Sequence, residues 1–289
     1  MIAELGYGTI FITFCLAIYG ILSTIICRLR HQQKWVNSAR AALQLMFPLL
    51  TLSIFFLLVL LVEDHYEVSY VYQVSNESMP VYLKLTALWG GQSGSLLFWS
   101  WVLSIFAFAV MARSWDEEKE LLPWVIFTIL VVLSFFIGLS LFYENPFIRF
   151  WQLTNGAQVT AMFKPAGAVL LSPSDGNGLN PLLRHPGMIL HPPMLYMGFT
   201  AFVIPYAFAI AALITGKRED HWLRRSRSWT ILAWLFLSAG LLLGSRWAYD
   251  VLGWGGYWGW DPVENAAFMP WLLYHPDSFS DGTGKARLV

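Results

Sequence analysis

The residues best suited to chemistry lie in the stretch 246–271, which reads RWAYDVLGWGGYWGWDPVENAAFMPW. Five of its 26 residues are tryptophan, and four glycines stand among them, at positions 253, 255, 256 and 259. Glycine interrupts a helix and lets flat rings pack closely on the backbone, while each indole supplies a large apolar face. The pattern predicts a rigid aromatic platform for a large, flat, apolar ligand such as a porphyrin. The alternative is an interfacial belt, because Trp and Tyr collect at headgroup depth in membrane proteins.

Two of the six histidines, His185 and His191, stand directly before a long apolar segment, and two prolines follow the second of them. Because proline is tolerated in the first turn of a helix, we expect the helix to begin there and His191 to lie at its mouth. A neutral imidazole is a common axial ligand of haem iron. His191 is therefore a candidate metal ligand, with a capping or hydrogen-bonding role as the alternative, and His185 is the next candidate.

The composition is that of a membrane protein. The sequence is 57% hydrophobic and only 12% charged, whereas soluble domains are roughly a quarter charged. The apolar runs predict an all-α fold, a polytopic helical bundle that has the lipid bilayer as its partner. A net charge of zero argues against nucleic acid as a partner. Cys15 and Cys27 form no CxxC motif and indicate neither a disulfide framework nor a redox centre.

Six apolar runs reach the length of about 20 residues that a spanning helix needs. We predict membrane helices at about 6–27, 42–62, 96–112, 123–143, 194–214 and 229–245, with a seventh beginning near 268. The loops after the first, third and fifth helices carry eleven Lys and Arg residues, and the alternate loops carry five. The positive-inside rule therefore predicts that the N-terminus and the tryptophan-rich loop, residues 246–268, lie outside the cytoplasm, on the outer face of a bacterial inner membrane.

The segment 254–265, WGGYWGWDPVEN, resembles the signature of a tryptophan-rich haem-handling family of cytochrome c assembly proteins, the group that contains CcmF, NrfE and CcsA. The segments 85–99, LTALWGGQSGSLLFW, and 179–196, LNPLLRHPGMILHPPMLY, are similar to stretches characteristic of CcmF and NrfE rather than of the shorter CcsA. The similarity extends over residues 1 to about 273. One small departure is Ser93, where many relatives carry an acidic residue.

The resemblance implies a function in cytochrome c maturation. A haem lyase component of this kind binds haem b outside the cytoplasm and presents it for covalent attachment to the two thiols of a CxxCH site in apocytochrome c. The implied partners are apocytochrome c, a haem chaperone and other membrane proteins of cytochrome c maturation. In the family, the tryptophan loop is the haem platform and an outer histidine binds the iron. Carried onto this sequence, the cofactor-binding residues are His191, which is also the metal ligand, Trp247, Trp254, Trp258, Trp260, Asp261 and Arg246.

Two of these residues are charged, and their expected roles differ. Arg246 is an outer cation, and the geometry of a guanidinium suits a haem propionate. The alternative for Arg246 is that of an interfacial residue that extends its charge into water. Asp261 is expected to orient the loop by accepting N–H bonds from the backbone or from indoles, rather than to donate protons.

Two other functions remain open from the sequence. A transporter or ion-conducting subunit would carry ionisable residues inside its helices, and the predicted spans contain almost none. A non-catalytic scaffold would use the aromatic loop as a docking surface for another protein. Retention of haem during purification separates the haem lyase from both.

The tail, residues 274–289, departs from the family pattern. It contains proline, glycine and several charged residues at positions where a seventh membrane helix should continue, and such residues are unfavourable in hydrocarbon. We therefore expect a membrane domain at 1–273 and a polar tail that results from truncation or from a shift of the reading frame. We also expect the chain to be inactive by itself.

Overall fold

The computed structural model describes residues 1–30, 32–113, 115, 119–216, 221–251, 253 and 255–273. In chain order the helices within these residues are α1 (Ile2–Arg30), α2 (Gln33–Val62), α3 (Ser69–Val74), α4 (Val81–Thr86), α5 (Gln92–Met111), α6 (Leu122–Phe142), α7 (Gly187–Thr215), α8 (His221–Val251) and α9 (Pro262–Leu273). Six helices of the described chain, α1, α2 and α5 to α8, are long and apolar enough to cross a membrane. This confirms the predicted all-α polytopic class and the six spans. Trp254 and the tail 274–289 lie outside the described residues.

The helices are longer than the apolar runs that predicted them. Helix α8 was predicted at 229–245 but extends from His221 to Val251, because its ends carry basic and aromatic residues that a hydropathy criterion leaves out and that a helix accommodates at an interface. Residues 246–251 of the tryptophan-rich loop are therefore helical. Helix α9, which was predicted to begin near 268, begins at Pro262.

The predicted position of His191 at the mouth of a helix is wrong. Helix α7 begins at Gly187, so His191 lies in its second turn and Pro192 and Pro193 lie inside the helix. Proline costs an α-helix mainly the hydrogen bond of its missing N–H. Both prolines are close enough to the N-terminus that only the carbonyls of the first turn lose a partner. The helix can consequently begin before the two prolines.

A small antiparallel sheet, which the sequence did not predict, lies in the segment 143–186 between α6 and α7. It has the strand order β2-β1-β3, with β1 at Arg149–Gln152, β2 at Gln158–Ala161 and β3 at Val169–Leu170. Strands of two to four residues are too short to leave a periodic pattern. Arg149 joins the sheet to α1, since its guanidinium donates to the carboxylate of Glu4 at 2.8 Å and to the carbonyl oxygen of Met162 at 2.9 Å.

The described chain divides into two compact units. The first consists of Met1–Tyr19, Gln44–Ser104 and Leu133–Arg184, and the second of Gly20–Leu43, Ile105–Val132 and His185–Val289. In the first unit the glycine-rich segment 85–99 packs around Tyr70, whose hydroxyl donates to the carbonyl of Ala87 at 2.8 Å and accepts the N–H of Gly91 at 3.2 Å. Ser93, the departure from the family pattern, donates its hydroxyl to the carboxylate of Glu144 at 2.8 Å.

In the second unit α7 and α8 pack closely because glycines face the neighbouring backbone. A Cβ atom on Gly198 would lie 2.8 Å from the backbone nitrogen of Leu237, and one on Gly240 would lie 2.9 Å from that of Leu195. Small residues let helix backbones approach in this way. Leu195, Leu237 and Ala267 form a buried cluster in which α9 joins the pair.

Candidate functional site

His191 is held by the backbone of α8. Its Nδ1 lies 2.8 Å from the carbonyl oxygen of Gly240. A carbonyl oxygen can only accept, so Nδ1 carries the proton and Nε2 keeps its lone pair. Histidines that bind metals commonly have this arrangement, in which one nitrogen donates to a carbonyl and the other faces the metal. The ring of His191 is therefore oriented for ligation before any ligand is present.

Glycine at position 244 makes room for this imidazole. A Cβ atom there would overlap Cε1 of His191 and would lie 2.8 Å from Nδ1. Gly240 and Gly244 form a GxxxG pattern on one face of α8, and that pattern was the sequence signal for close contact between these two helices. The pattern was not among the features predicted from the sequence.

Trp247 packs against the same imidazole. The two ring centroids are 6.0 Å apart and the planes differ by 18°. Trp247 lies in the last turns of α8, and so it is fixed by a helix rather than by a loop. Gly187 allows the approach, since a Cβ atom there would lie 2.8 Å from Cδ1 of Trp247.

The turn before α9 is a capping box. The carboxylate of Asp261 accepts the backbone N–H of Glu264 at 2.7 Å, and the carboxylate of Glu264 accepts the N–H of Asp261 at 3.4 Å as well as that of Gly259 at 2.8 Å. This reciprocal arrangement satisfies N–H groups at a helix start. Asp261 thus accepts a backbone N–H, as the sequence predicted. Sequence analysis missed Glu264, although the spacing Asp-x-x-Glu before an apolar run is a recognisable signal.

The capping box holds Trp260 in an unusual conformation. Trp260 has a positive φ of 56°, a region that non-glycine residues rarely adopt and that costs of order 1 kcal/mol or more. Asn265 stabilises it by donating its side-chain amide to the carbonyl of Trp260 at 3.1 Å. The indole of Trp260 is 68% exposed. A large apolar ring is consequently presented to the surroundings by a turn that is fixed on both sides.

Behind Trp260 the aromatic rings form a continuous row. Trp258 contacts Trp260 at 5.9 Å and Phe268 at 5.6 Å, and Phe268 stacks on Trp271 at 5.7 Å with 17° between the planes. Trp271 in turn stacks on Trp234 of α8 at 5.8 Å and 12°. The predicted platform is therefore longer than expected. Trp234 lies outside the stretch 246–271, and nothing in its local sequence distinguished it.

Two adjoining cavities lie along this row. A small cavity of about 90 Å³ is bounded by His191, Trp247, Trp258 and Glu264. An apolar groove of about 340 Å³ is lined by Trp234, Leu242, Trp258, Phe268 and Trp271. The indole of Trp258 forms part of the wall of both. A water molecule takes about 30 Å³, so the small cavity has room for only a few waters and is too small for a porphyrin. Contact between a porphyrin in the groove and His191 therefore requires Trp258 to move.

Two indole N–H groups at the small cavity have no acceptor. The Nε1 atoms of Trp247 and Trp258 are buried, and neither makes a hydrogen bond within the described part of the chain. An unpaired buried donor costs about 1–3 kcal/mol, which a ligand with acceptor atoms would recover. A metalloporphyrin has a metal for the free Nε2 of His191 and an apolar face for the groove, and it could contact both once Trp258 has moved.

The other predicted residues lie at the edge of this site. Arg246 is 69% exposed at its side chain, and its Nε donates to Asp250 at 2.8 Å. The Nδ1 of His185 accepts the N–H of Gly187 at 3.1 Å, and its Nε2 lies 4.0 Å from Asp250. His185 lines neither cavity. The structure thus separates the two candidate histidines, and only His191 borders a cavity next to the aromatic row.

A metal cluster built from protein side chains is absent from the described residues, which contain no group of three or more His, Cys, Asp and Glu able to hold an ion.

Fold and site together define a polytopic helical membrane protein in which an aromatic row adjoins a pre-oriented histidine. A sequence model described as "Cytochrome C assembly protein" matches residues 89–275, and the chain belongs to this family. The resemblance noted from the sequence is confirmed.

Individual relatives agree with this assignment. The chain is 40% identical over 273 residues to the "Cytochrome c-type biogenesis protein CcmF" of Pseudomonas aeruginosa, covering 94% of this chain and 39% of the relative. It is 35% identical over 280 residues to the "Cytochrome c-type biogenesis protein NrfE" of Haemophilus influenzae, covering 94% and 40%. A solved structure titled "Cytochrome c Heme Lyase CcmF" superposes with a TM-score of 0.76 at 27% identity, over 95% of this chain and 41% of that one. The chain spans about two-fifths of the length of these relatives.

Proposed function

We propose that this chain forms the haem-holding part of a cytochrome c haem lyase. It would bind haem b on the extracytoplasmic face and present it for covalent attachment to apocytochrome c. The observation that carries the proposal is the hydrogen bond of His191 Nδ1 to Gly240, which leaves Nε2 free at the small cavity that shares the wall of Trp258 with the aromatic groove. The names of the relatives are consistent with it.

Each part of the site has a task in this proposal. His191 would bind the iron through Nε2 once Trp258 has moved from the wall between the two cavities, and the row from Trp258 to Trp234 would cover one porphyrin face and exclude water from it. The exposed Trp260 and Arg246 border the open edge, where Arg246 can turn from Asp250 to a propionate. Haem supplies two vinyl groups, to which the thiols of a CxxCH segment add to form thioethers. The contribution of the chain is to hold and orient haem so that this edge stays accessible.

The proposal includes an orientation in the membrane. The excess of Lys and Arg in the loops after the first, third and fifth helices argues that residues 246–268 are extracytoplasmic in a bacterial inner membrane. Apocytochrome c, a haem chaperone and other maturation proteins would reach the site from that side. A cysteine introduced at Tyr257, which is 55% exposed, should react with a membrane-impermeant thiol reagent in intact spheroplasts. Reaction only after lysis would reverse the orientation.

Substitution of His191 tests the site. The purified 289-residue chain should lose at least tenfold in haem per protein on His191→Gly, and added imidazole should restore haem binding because the vacated space admits a free ring. Recovery by imidazole distinguishes loss of a ligand from loss of the fold. His65→Ala is the control, since the two ring nitrogens of His65 lie against Glu63 and Glu67 and His65 lines neither of the two cavities.

Unchanged haem content in His191→Gly would remove this residue from the ligand set. A loss of haem in His185→Ala together with normal binding in His191→Gly would transfer the ligand role to His185.

A further inference from the structure

Three polar side chains lie together at the end of α8 that leads into the tryptophan-rich loop. Arg246 and Asp250 are one turn apart on α8, and the Nε of Arg246 donates to Oδ2 of Asp250 at 2.8 Å. His185 stands two residues before α7 begins, and its Nε2 lies 4.0 Å from the same oxygen. All three residues belong to the second unit. The function proposed above gives Arg246 a task but leaves the other two without one.

A hydrogen bond at the start of α7 determines which nitrogen of His185 carries the proton. The backbone N–H of Gly187 donates to Nδ1 of His185 at 3.1 Å. Nδ1 must therefore present its lone pair, and the proton of the ring is on Nε2. The atom that carries the proton is the one that lies 4.0 Å from Asp250, which is too far for a hydrogen bond. His185 is thus a donor held beside a carboxylate that it does not yet reach.

The bond between Arg246 and Asp250 is of a kind that a ligand can replace. The side chain of Arg246 is 69% exposed, and ion pairs that water reaches contribute little to stability. The side chain of Asp250 is only 24% exposed, so it has more to lose when its donor leaves. Among the described residues, Arg246 alone donates to this carboxylate. If Arg246 moved away, the nearest replacement donor would be the Nε2–H of His185.

We propose that Asp250 and His185 are positioning residues for Arg246 and exchange a hydrogen bond when haem binds. The proposal rests on the function proposed above, in which Arg246 turns from Asp250 to a haem propionate. Arginine pairs with a carboxylate through two parallel N–H groups, which the single bond to Asp250 does not use. As Arg246 leaves, the Nε2–H of His185 moves by about 1 Å and donates to Asp250. Asp250 holds Arg246 at the edge of the site until a propionate arrives, and His185 offsets its departure.

The first test compares haem with haem dimethyl ester, in which both propionates are esterified and uncharged. The purified 289-residue chain in detergent should bind haem more tightly than the ester. His185→Ala should weaken haem binding about fivefold, because Asp250 then has no replacement donor, and it should leave binding of the ester unchanged. A metal ligand or a purely structural residue would affect both compounds. Equal losses for haem and the ester in His185→Ala would therefore overturn the proposal.

Asp250→Asn tests the carboxylate. An amide leaves no uncompensated charge when Arg246 departs, so this variant should bind haem about threefold more tightly and the ester as before. Adding His185→Ala to Asp250→Asn should have no further effect, because residues that act through one bond are not additive. Glu77→Gln, an exposed carboxylate of another loop, is the control and should change neither affinity. Additive effects of the two substitutions would contradict the exchange.

A measurement without haem tests the exchange by itself. Arg246→Ala removes the present donor to Asp250. Solvent exchange of the His185 Nε2–H, followed by NMR with isotope-labelled histidine, should then slow about fivefold because this N–H becomes hydrogen-bonded. Adding Asp250→Ala should abolish the slowing. Unchanged exchange in Arg246→Ala would overturn the proposal even where haem binds normally. Failure of the unaltered chain to bind either porphyrin would instead contradict the proposed function, and the NMR result would still decide on the hydrogen-bond exchange.

Discussion

The Nδ1 of His191 in α7 lies 2.8 Å from the carbonyl oxygen of Gly240 in α8. That hydrogen bond joins the candidate ligand to the neighbouring helix rather than to its own. The orientation of the ring consequently depends on how closely the two helices pack, and the packing depends on glycines. The proposed haem site is thus built from contacts within the helix pair before the tryptophan-rich loop contributes to it.

Gly244→Ala is expected to disturb this relationship. Alanine is favoured over glycine inside a helix by about 1 kcal/mol, but the added methyl would overlap the ring of His191, and overpacking costs about 1–3 kcal/mol. We expect lower thermal stability and a several-fold loss of haem per protein. Gly8→Ala in α1 is the control, because nothing lies within 4 Å of its Cβ position, and it should be neutral or stabilising. Equal behaviour of the two variants would contradict the packing argument.

Hydropathy was sufficient to predict the six spans, because a run of about 20 apolar residues is characteristic of a membrane-spanning helix. It was insufficient for the helix ends. The proline pair suggested a helix start at 194, and the true start at Gly187 depends on contacts such as that of Gly187 with Trp247, which lies 60 residues further along the chain. Tertiary packing of this kind leaves no local signal.

The candidate site was also predictable only in part, because some of its features depend on tertiary packing. Residue types and spacing were enough to select His191 and the tryptophans, since imidazole and indole have distinctive chemistry. The hydrogen bond to Gly240, the contribution of Trp234 and the separation of His185 from the cavities depend on which residues face one another across the helix pair. Only the three-dimensional structure contains that information.

The capping box leads to a prediction about Glu264. Glu264→Ala removes the acceptor of the Gly259 N–H, and loss of a cap costs about 0.5–2 kcal/mol. Hydrogen exchange of the amides at 259–261 should become faster. Glu264→Gln should exchange nearly as slowly as the unaltered chain, because its side-chain oxygen can still accept. Val263→Ala, at an exposed neighbouring position, should leave exchange unchanged. Equally fast exchange in the alanine and glutamine variants would show that the charge, not the cap, holds the turn.

His65 leads to a prediction about pH. Burial alone would lower the pKa of this imidazole, but its hydrogen bonds to Glu67 and Glu63 outweigh burial and raise the pKa above the ordinary value of 6.5. A raised folded-state pKa stabilises the protein fully below the unfolded value, and the contribution is lost as pH rises through the folded value. Replacing both partners, in Glu63→Gln/Glu67→Gln, should remove the part of the stability decrease that begins above about pH 6.5.

The measurement for His65 is the thermal midpoint of the purified chain at a series of pH values. Glu77→Gln is the control, because Glu77 is an exposed carboxylate of the same outer loop that does not contribute to the shift of His65. Its pH profile should match that of the unaltered chain. A double variant with the original pH dependence would show that these carboxylates do not hold the proton on His65.

The final prediction compares two tryptophans of the aromatic row, Trp258 and Trp271. Trp271 donates its N–H to the hydroxyl of Ser238 at 2.7 Å, whereas the buried N–H of Trp258 has no acceptor in the described chain. Replacement by phenylalanine removes the same atoms at both positions, so the apolar loss is similar and the difference isolates the hydrogen bond. Without haem, Trp271→Phe should be less stable than Trp258→Phe by about 0.5–1.5 kcal/mol. With haem the order should reverse, because only Trp258 is expected to gain a bond to the ligand. Denaturant unfolding with and without haem measures both differences, and a haem-independent order would mean that the Trp258 N–H does not face the ligand.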